Sequence, residues 1–269
     1  MYLSAIVLAA GRGLRFSRLN SATARGGIPA RISKMAKPGK SKIPKTLVKI
    51  DSRPVIIYCL DILSKHPSIR DIIVVVNAGF LGEMVSKIRQ YRIDKVRRVV
   101  RGGRRRQDSV YNALRVMDNR TDLVLIHDGV RPFIDKETVS SVIKEAQDSG
   151  AAVMGVPVKA TVKQVRRSLG HKVRSNFIVR KTLKRDELWE VQTPQVFSKR
   201  LILEAYKNFG KEEVTDDASL VEKLGAKVSV ILGSYNNIKI TTPEDLVIAK
   251  AIAKKLIDKR NAYCRCPTE

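Results

Sequence analysis

The sequence predicts an α/β fold: a Rossmann-like, doubly wound and mostly parallel sheet with a projecting β-hairpin arm. The main observation is that short runs rich in valine and isoleucine alternate with amphipathic stretches of helical period. Runs of this length and composition indicate strands that are buried on both faces. A glycine-rich turn also follows the first apolar run directly. Ligands of such sheets bind at the carboxyl ends of the strands, where this turn would lie.

The elements follow from these patterns in chain order. Strands are predicted at residues 3–8, 72–76, 96–100, 123–126, 153–156 and 228–232. Helices are predicted at residues 55–64, 81–91, 109–117, 136–148 and 216–224. A last helix is predicted from Thr242 as N-cap to about residue 257, because Pro243 then takes the first helical position and Glu244 and Asp245 lie near the positive helix end.

Two segments interrupt the alternation within what we predict to be a single domain, residues 1–257. No acidic residue occurs between Arg12 and Lys49, and glycine, serine and proline are frequent there, which predicts a basic loop insertion at about 18–43. Short β-prone pieces on either side of Gly170 predict a β-hairpin arm at about 159–185, which we expect to pack on a second subunit. Residues 258–269 are expected to form a flexible tail.

The composition is strongly basic. The chain of 269 residues has 52 Lys and Arg against 26 Asp and Glu, a formal net charge of +26. This charge favours polyanions such as nucleotides, phosphates, RNA or membrane surfaces, without choosing among them. No apolar run reaches the roughly 18 residues of a membrane span, and the apolar start lacks the basic flank of a signal peptide. We therefore expect a cytoplasmic protein that binds no membrane.

The three cysteines predict no metal site. Cys59 lies in an apolar helical run, which indicates a buried small side chain. Cys264 and Cys266 lie in a polar tail without a second pair of ligands, so a four-ligand zinc site cannot be assembled from them.

The turn after the first strand reads Ala9-Ala10-Gly11-Arg12-Gly13-Leu14-Arg15. Small residues let the backbone approach a phosphate chain, and glycine amides can turn toward it. A dinucleotide site would need a third glycine and an acid about 20 residues further on. A P-loop would need a glycine six residues before Lys40. Neither is present.

The remaining pattern, completed by Pro44-Lys45, resembles the signature of nucleotidyltransferases that act on sugar phosphates. Attack on the α-phosphorus of a nucleotide builds negative charge, which fixed cations near that phosphorus stabilise. Arg15 and Lys45 are therefore candidate catalytic residues. The alternative is that both are solvated cations of a basic segment.

Six further motifs occur in order along the chain. They are Gly-Gly-x-x-Arg-Gln-x-Ser-Val at 102–110, His-Asp-Gly-Val-Arg-Pro at 127–132, Pro-Val-x-x-Thr-x-Lys at 157–163, Arg-x-x-Leu-Trp-x-x-Gln-Thr-Pro-Gln at 185–195, Thr-Asp-Asp-Ala-Ser at 215–219 and Asn-Ile-Lys-x-Thr-x-Pro-Glu-Asp at 237–245. With the glycine turn, they resemble the 2-C-methyl-D-erythritol 4-phosphate cytidylyltransferases of the non-mevalonate isoprenoid pathway.

The resemblance implies an enzyme that joins the CMP part of CTP to a polyol phosphate and releases pyrophosphate. The residues implied in CTP binding are Ala9, Ala10, Gly11, Gly13, Gly103, Arg104, Ser109, Asp128 and Gly129. Those implied in acceptor binding are Arg131, Thr161, Arg185, Thr193, Thr215, Asp216 and Lys239. The resemblance also implies a homodimer in which the arm of one subunit carries Arg185 to the other, and Mg²⁺ bound mainly through the CTP phosphates.

This sequence departs from the family pattern at three places. Ala160 stands where an aspartate is usual, Gly129 and Val130 replace two alanines, and the basic insertion lies inside the phosphate-binding loop. The insertion is either a flap that orders over CTP or a solvated segment without a catalytic part. Two other functions stay open: a ribitol 5-phosphate cytidylyltransferase, and an RNA-binding protein on the same scaffold. The low aromatic content, 5%, argues against the second and against any specific nucleic-acid partner.

Overall fold

A computed structural model of the chain describes residues 1–11, 43–167 and 177–263. Within these ranges the strands are β1 (Leu3–Ala9), β2 (Lys49–Ile50), β3 (Arg53–Pro54), β4 (Ile69–Val76), β5 (Val96–Arg101), β6 (Leu123–Asp128), β7 (Ala151–Pro157), β8 (Lys163–Arg167), β9 (Phe177–Thr182), β10 (Trp189–Ser198) and β11 (Ser229–Leu232). The α-helices are α1 (Val55–Lys65), α2 (Leu81–Gln90), α3 (Arg106–Leu114), α4 (Lys136–Ser149), α5 (Lys199–Phe209), α6 (Ala218–Lys223) and α7 (Pro243–Tyr263).

Seven strands form the central sheet, in the order β11-β7-β10-β6-β1-β4-β5. All neighbours are parallel except those of β10, which runs antiparallel to both β6 and β7. The chain moves outward from β1 to β4 and β5, then returns to β6 on the other side of β1. Such a reversal opens a crevice at the carboxyl ends of the two central strands. The predicted doubly wound, mostly parallel fold is confirmed.

Helices cover both faces of this sheet. Ala5 and Val7 of β1 pack in the apolar cluster that α1, α2 and α4 complete, whereas Ile6 packs in the cluster that α3, α5 and α6 complete. Successive side chains of a strand point to opposite faces, so a strand covered on both sides is apolar throughout. That is why the central strands were recognisable as continuous valine and isoleucine runs.

Two of the longer elements, β10 and α5, are not predicted by the apolar pattern, nor are the two-residue strands β2 and β3. Residues 192–195 interrupt β10 with polar side chains and a proline, although all four are buried. Gln192, Thr193 and Gln195 each make a side-chain hydrogen bond inside the protein, so the strand is buried without being apolar. The helix α5 begins after Ser198, whose side chain accepts a hydrogen bond from the N–H of Leu201 at 3.3 Å.

The helix ends differ from prediction at three places. The helix α3 begins at Arg106, earlier than predicted, because Asp108 accepts a hydrogen bond from the N–H of Arg105 at 2.9 Å and caps the start. The short α6 begins at Ala218. The helix α7 continues to Tyr263, so it includes residues 258–263 of the expected tail. No glycine or proline interrupts that stretch. Residues 264–269, with both tail cysteines, lie outside the described residues.

The predicted arm contains an antiparallel pair of strands, β8 and β9. Lys163 lies opposite Thr182, and Arg167 lies opposite Phe177. Every residue of both strands is exposed in the single chain. Residues 168–176, which connect the two strands, and residues 12–42, which include most of the basic insertion, lie outside the described residues. In the described ranges, no helix has the length and apolar character needed to cross a membrane.

Candidate active site

The reversal of strand order places the turn after β1 beside the end of β6. Ala9 is the last residue of β1, and Ala10 and Gly11 follow it. Gly129 follows β6, and its N–H donates to the carbonyl of Leu8 at 2.9 Å. A Cβ atom at position 129 would lie 3.0 Å from that carbonyl oxygen, so the two backbones approach closely here. Four of the residues predicted to bind CTP therefore meet at this point.

The turn after β5 packs against the same place. The N–H of Gly102 donates to the carbonyl of Val76 at 2.8 Å. A Cβ atom at position 102 would lie only 2.3 Å from the Cβ of Ala10, so the close approach of the two turns requires glycine. The turn that holds Gly103 is thereby brought next to the turn after β1.

Ser109 fixes the conformation of the turn after β5. Its hydroxyl oxygen accepts from the N–H of Gly103 at 3.0 Å, and the hydroxyl donates to the carbonyl of Arg105 at 3.1 Å. Ser109 is buried, whereas Arg104 is exposed at the tip of the turn. A hydrogen bond from Ser109 to a base would need its proton to leave the carbonyl of Arg105.

Asp128 ends β6 and is surrounded by three cations. The Nζ atom of Lys239 lies 2.6 Å from Oδ2, the Nε atom of Arg106 lies 3.6 Å from Oδ1, and the Nε atom of Arg131 lies 3.9 Å from Oδ2. Burial alone would raise the pKa of Asp128, but the three cations outweigh it and hold the pKa well below its usual range. The ion pair with Arg131 is therefore one contact of three.

Arg106 bridges Asp128 to a second carboxylate. Its Nη1 atom lies 2.6 Å from Oδ2 of Asp217, the residue before α6. The hydroxyl of Tyr206 donates to the other oxygen of Asp217 at 2.6 Å. Burial alone would lower the pKa of Arg106, but Asp217 and Asp128 outweigh it and raise the pKa, so Arg106 stays charged.

These groups line a cavity of about 190 Å³ between β6, β10 and the start of α6. Its walls are Arg106, Asp128, Arg131, Val191, Gln192, Thr193, Gln195, Thr215, Asp216 and Lys239. Six of these were predicted as site residues. Arg106, Gln192 and Gln195 were missed as site residues, although each lies inside a motif quoted above. Three cations and several hydrogen-bonding groups suit this cavity to a small, polar, phosphorylated ligand.

His127 braces the turn that carries Asp128 and Arg131. Nε2 of His127 lies 3.0 Å from the carbonyl of Arg131, which can only accept, so Nε2 carries the ring proton and donates. In a neutral ring Nδ1 then accepts from the hydroxyl of Thr193, 3.1 Å away, whose oxygen accepts from the N–H of Asp128 at 3.0 Å. Burial lowers the pKa of His127 to about 4, which agrees with a neutral ring.

Lys45 lies outside this cavity, in a short 3₁₀ helix at Lys45–Leu47. Its Nζ atom donates to the carbonyl of Thr241. The N–H and hydroxyl of Thr241 both donate to Asp245, at 2.7 and 2.9 Å. The cation that follows the basic insertion is therefore held at the N-terminus of α7.

Two of the remaining predicted residues are not brought to the cavity of the single chain. Thr161 and Arg185 are exposed at the base of the arm, where Arg185 donates to the carbonyl of Lys159 at 3.3 Å. Gly13 and Arg15 lie outside the described residues.

Comparison with known families identifies one match. The family model described as 2-C-methyl-D-erythritol 4-phosphate cytidylyltransferase matches residues 34–255. A protein of that name from Syntrophus aciditrophicus is 44% identical over 221 residues, which cover 80% of this chain and 90% of that protein. Another from Alkaliphilus oremlandii is 39% identical over 256 residues, covering 93% of this chain and 94% of the relative.

Solved structures with a similar fold bear names of the same enzyme activity. The 4-diphosphocytidyl-2C-methyl-D-erythritol synthase of Anaerococcus prevotii superposes with a TM-score of 0.74 at 30% identity, covering 94% of this chain and 96% of that one. The 2-C-methyl-D-erythritol 4-phosphate cytidylyltransferase of Francisella tularensis has a TM-score of 0.69 at 30% identity and covers 94% of this chain and all of its own.

Proposed function

The chain belongs to the 2-C-methyl-D-erythritol 4-phosphate cytidylyltransferase family, and we propose that it converts CTP and 2-C-methyl-D-erythritol 4-phosphate to 4-diphosphocytidyl-2-C-methyl-D-erythritol and pyrophosphate. One structural observation carries this assignment further than the family match. Asp128 lines a cavity with three cations, and the residue directly after it, Gly129, packs closely against the end of β1. A nucleotide and a small phosphate can thus bind on the two sides of a single residue.

In this mechanism CTP lies along the turns after β1 and β5. Gly103, Arg104 and Ser109 contact the cytosine, and Asp128 and Gly129 contact the ribose. Ala9, Ala10, Gly11 and Gly13 give the phosphates close access to backbone amides. The tight approach at positions 102 and 129 supports this arrangement, because it leaves backbone rather than side chains at the surface of the crevice.

The acceptor lies in the cavity, with its phosphate at Lys239 and Arg131 and its hydroxyls near Thr193, Thr215 and Asp216. An oxygen of that phosphate attacks the α-phosphorus of CTP in line, and the bond from this phosphorus to the oxygen of the β-phosphate breaks. Pyrophosphate carries the electron pair away. Arg15 and Lys45 stabilise the negative charge that develops. The acceptor phosphate is already ionised at neutral pH, so the step needs no general base and no covalent enzyme intermediate.

Magnesium enters with CTP in this scheme, bound through the triphosphate. Within the described part of the chain, no three His, Cys, Asp or Glu side chains are grouped so that they could hold a metal ion. Oxygen-rich triphosphates are the usual ligands of Mg²⁺, which keeps few protein ligands. In this proposal the metal ion binds and leaves with the phosphates of the nucleotide and is not held by a cluster of protein ligands.

A homodimer completes the site in this proposal. Thr161 and Arg185 would contact the acceptor phosphate from the arm of a second copy. The exposed Val165, Phe177 and Val179 on the arm support this, because an isolated two-stranded hairpin with apolar side chains in solvent is marginally stable.

The single domain of residues 1–257 and the cytoplasmic location stay predictions.

The other functions are not favoured. The matched family and relatives bear the name of the erythritol enzyme rather than of a ribitol 5-phosphate cytidylyltransferase or an RNA-binding protein. Ala160 is the one departure in the acceptor motifs that could change the acceptor preference.

Pyrophosphate release tests the proposal directly. Purified protein, CTP and Mg²⁺ are incubated with 2-C-methyl-D-erythritol 4-phosphate or with ribitol 5-phosphate at the same concentration. We expect release with the first acceptor and at least tenfold less, on the order of a lost substrate contact, with the second. Equal rates, or a preference for ribitol 5-phosphate, would reassign the acceptor.

A further inference from the structure

The three cations around Asp128 differ in how readily they can leave it. The exposed fraction of the side chain is 43% for Lys239, 27% for Arg106 and 8% for Arg131. Arg131 is also held by its Nη1 atom, which donates to the carbonyl of Asn237 at 2.7 Å. Of these three cations, Lys239 is the one that a ligand entering the cavity reaches most directly.

Asp128 and an acceptor phosphate would compete for Lys239. The ammonium of Lys239 lies 2.6 Å from the Asp128 carboxylate. Binding a phosphate requires this contact to loosen or break. A buried carboxylate that loses its partner is strongly destabilised, so another cation must hold Asp128 at that moment.

Arg106 has the geometry for this task. It is anchored on its far side by Asp217, whose side chain is 1% exposed. Both oxygens of Asp217 are occupied, one by Arg106 and the other by the hydroxyl of Tyr206, so the anchor is fixed. The Nε atom of Arg106 lies 3.6 Å from Asp128 Oδ1, on the oxygen opposite to the one that Lys239 contacts. A small movement would convert this ion pair into a hydrogen bond.

We propose that Arg106 is a positioning residue that keeps the Asp128 carboxylate in place while Lys239 transfers from Asp128 to the acceptor phosphate. The inference rests on the proposed function, in which Asp128 contacts the ribose and Lys239 holds the phosphate. Lys239 changes its partner, whereas Arg106 and Arg131 remain. The nucleotide side of the site is thereby undisturbed when the acceptor binds.

A double-mutant cycle tests this role. In the wild-type background, Arg106→Gln is expected to raise the KM for the polyol phosphate by roughly tenfold, with a smaller change in kcat, because Lys239 stays bound to Asp128. In the Asp128→Asn background there is no carboxylate to hold Lys239, so Arg106→Gln is expected to change this KM by less than about twofold. An equal change in this KM in both backgrounds would mean that Arg106 only supports Asp217, and it would overturn the proposal.

Arg106→Lys gives an independent measurement that also serves if Arg106→Gln does not fold. A lysine keeps a positive charge beside Asp128 but cannot bridge two carboxylates as a guanidinium does. We expect it to restore the KM for the polyol phosphate to within about threefold of the wild type. If Arg106→Lys raises this KM as much as the uncharged Arg106→Met does, the positive charge at position 106 has no role, and the proposal is overturned.

The wild-type chain, assayed in parallel, separates the two proposals. No pyrophosphate release from the wild type with CTP and either acceptor would remove the proposed function itself. An active wild type with an additive cycle would leave the function standing and remove only the role of Arg106.

Discussion

Lys45 donates a hydrogen bond from its ammonium group to the backbone carbonyl of Thr241, and this contact joins the end of the basic insertion to the start of α7. Lys239, which contacts Asp128, lies in the same irregular segment, two residues before Thr241. Asp245 fixes the end of this segment by accepting hydrogen bonds from Thr241. One segment therefore contacts a cation proposed for the nucleotide and carries a cation proposed for the acceptor.

Lys45→Gln is expected to lower kcat by roughly 10²–10³, because a cation directed at the charge of the transition state acts on turnover. The KM for the polyol phosphate should change little. Steady-state pyrophosphate release measures both constants. Lys49→Gln is the matched control, since Lys49 is an exposed lysine of the neighbouring strand β2. A raised KM for CTP with unchanged kcat would make Lys45 a ground-state binding residue instead.

Lys239→Gln is expected to raise the KM for the polyol phosphate by roughly 10- to 100-fold, the range of a lost hydrogen bond to a charged group. The KM for CTP should stay within about threefold, because the other two cations still hold Asp128. Lys250→Gln, which removes an exposed charge from α7, controls for the general loss of positive charge. Parallel rises in both KM values would show that Lys239 supports the whole site.

Mixing two variants, assayed at a polyol phosphate concentration low enough that each is strongly impaired, tests whether the arm acts across a dimer. If Arg185 serves the site of the other subunit, then subunits with Arg185→Gln and subunits with Lys239→Gln form mixed dimers in which one site is intact. Random reassortment should then recover about a quarter of the wild-type activity, because half of the dimers are mixed and each has one working site. Recovery of none of the activity after verified subunit exchange would place Arg185 in its own subunit's site.

His127 predicts a specific dependence of stability on pH. Burial lowers its folded-state pKa to about 4, from an ordinary value of 6.5. Between these values the unfolded chain binds the extra proton, so this contribution to stability is complete above pH 6.5 and is lost as the pH falls through 4. The free energy of unfolding should fall by about 1–3 kcal/mol more in the wild type than in His127→Gln over this range.

Urea unfolding at a series of pH values measures this difference. His66, whose pKa burial also lowers, is present in both proteins, so its contribution cancels in the comparison. Identical slopes for the wild type and His127→Gln would mean that the imidazole has the same pKa in the folded and unfolded chains, so burial would not lower it.

The strands that could be predicted from the sequence are those in which burial and apolar character coincide. β4 has alternate residues facing opposite helical layers, and both layers demand apolar side chains, so its run of valine and isoleucine is unambiguous. β10 fails this test because Gln192 and Gln195 are buried through hydrogen bonds to Asn237 and Asp216. Those partners lie far along the chain, and no local pattern reveals them.

The candidate site shows the same division. Asp128 and Lys239 could be selected because each occupies a distinctive position in a motif, and they are in contact in the structure. Arg106 is one of three consecutive arginines. The sequence alone does not distinguish the arginine that turns inward from Arg104, which is exposed, because the difference comes from the start of α3 and from Asp217.

The base of the arm has a consequence for protein engineering. Pro157 and Trp189 are direct neighbours across the β7–β10 ladder, and the N–H of Val158 donates to the carbonyl of Leu188 at 3.0 Å. The segment between Val158 and Leu188, which includes the arm, therefore leaves and re-enters the sheet at one point. A tight two-residue linker could replace it without altering the sheet register. Arms from relatives could be transplanted at the same junction, so subunit pairing and the acceptor contacts proposed for Thr161 and Arg185 can be exchanged together while the seven-stranded sheet stays unchanged.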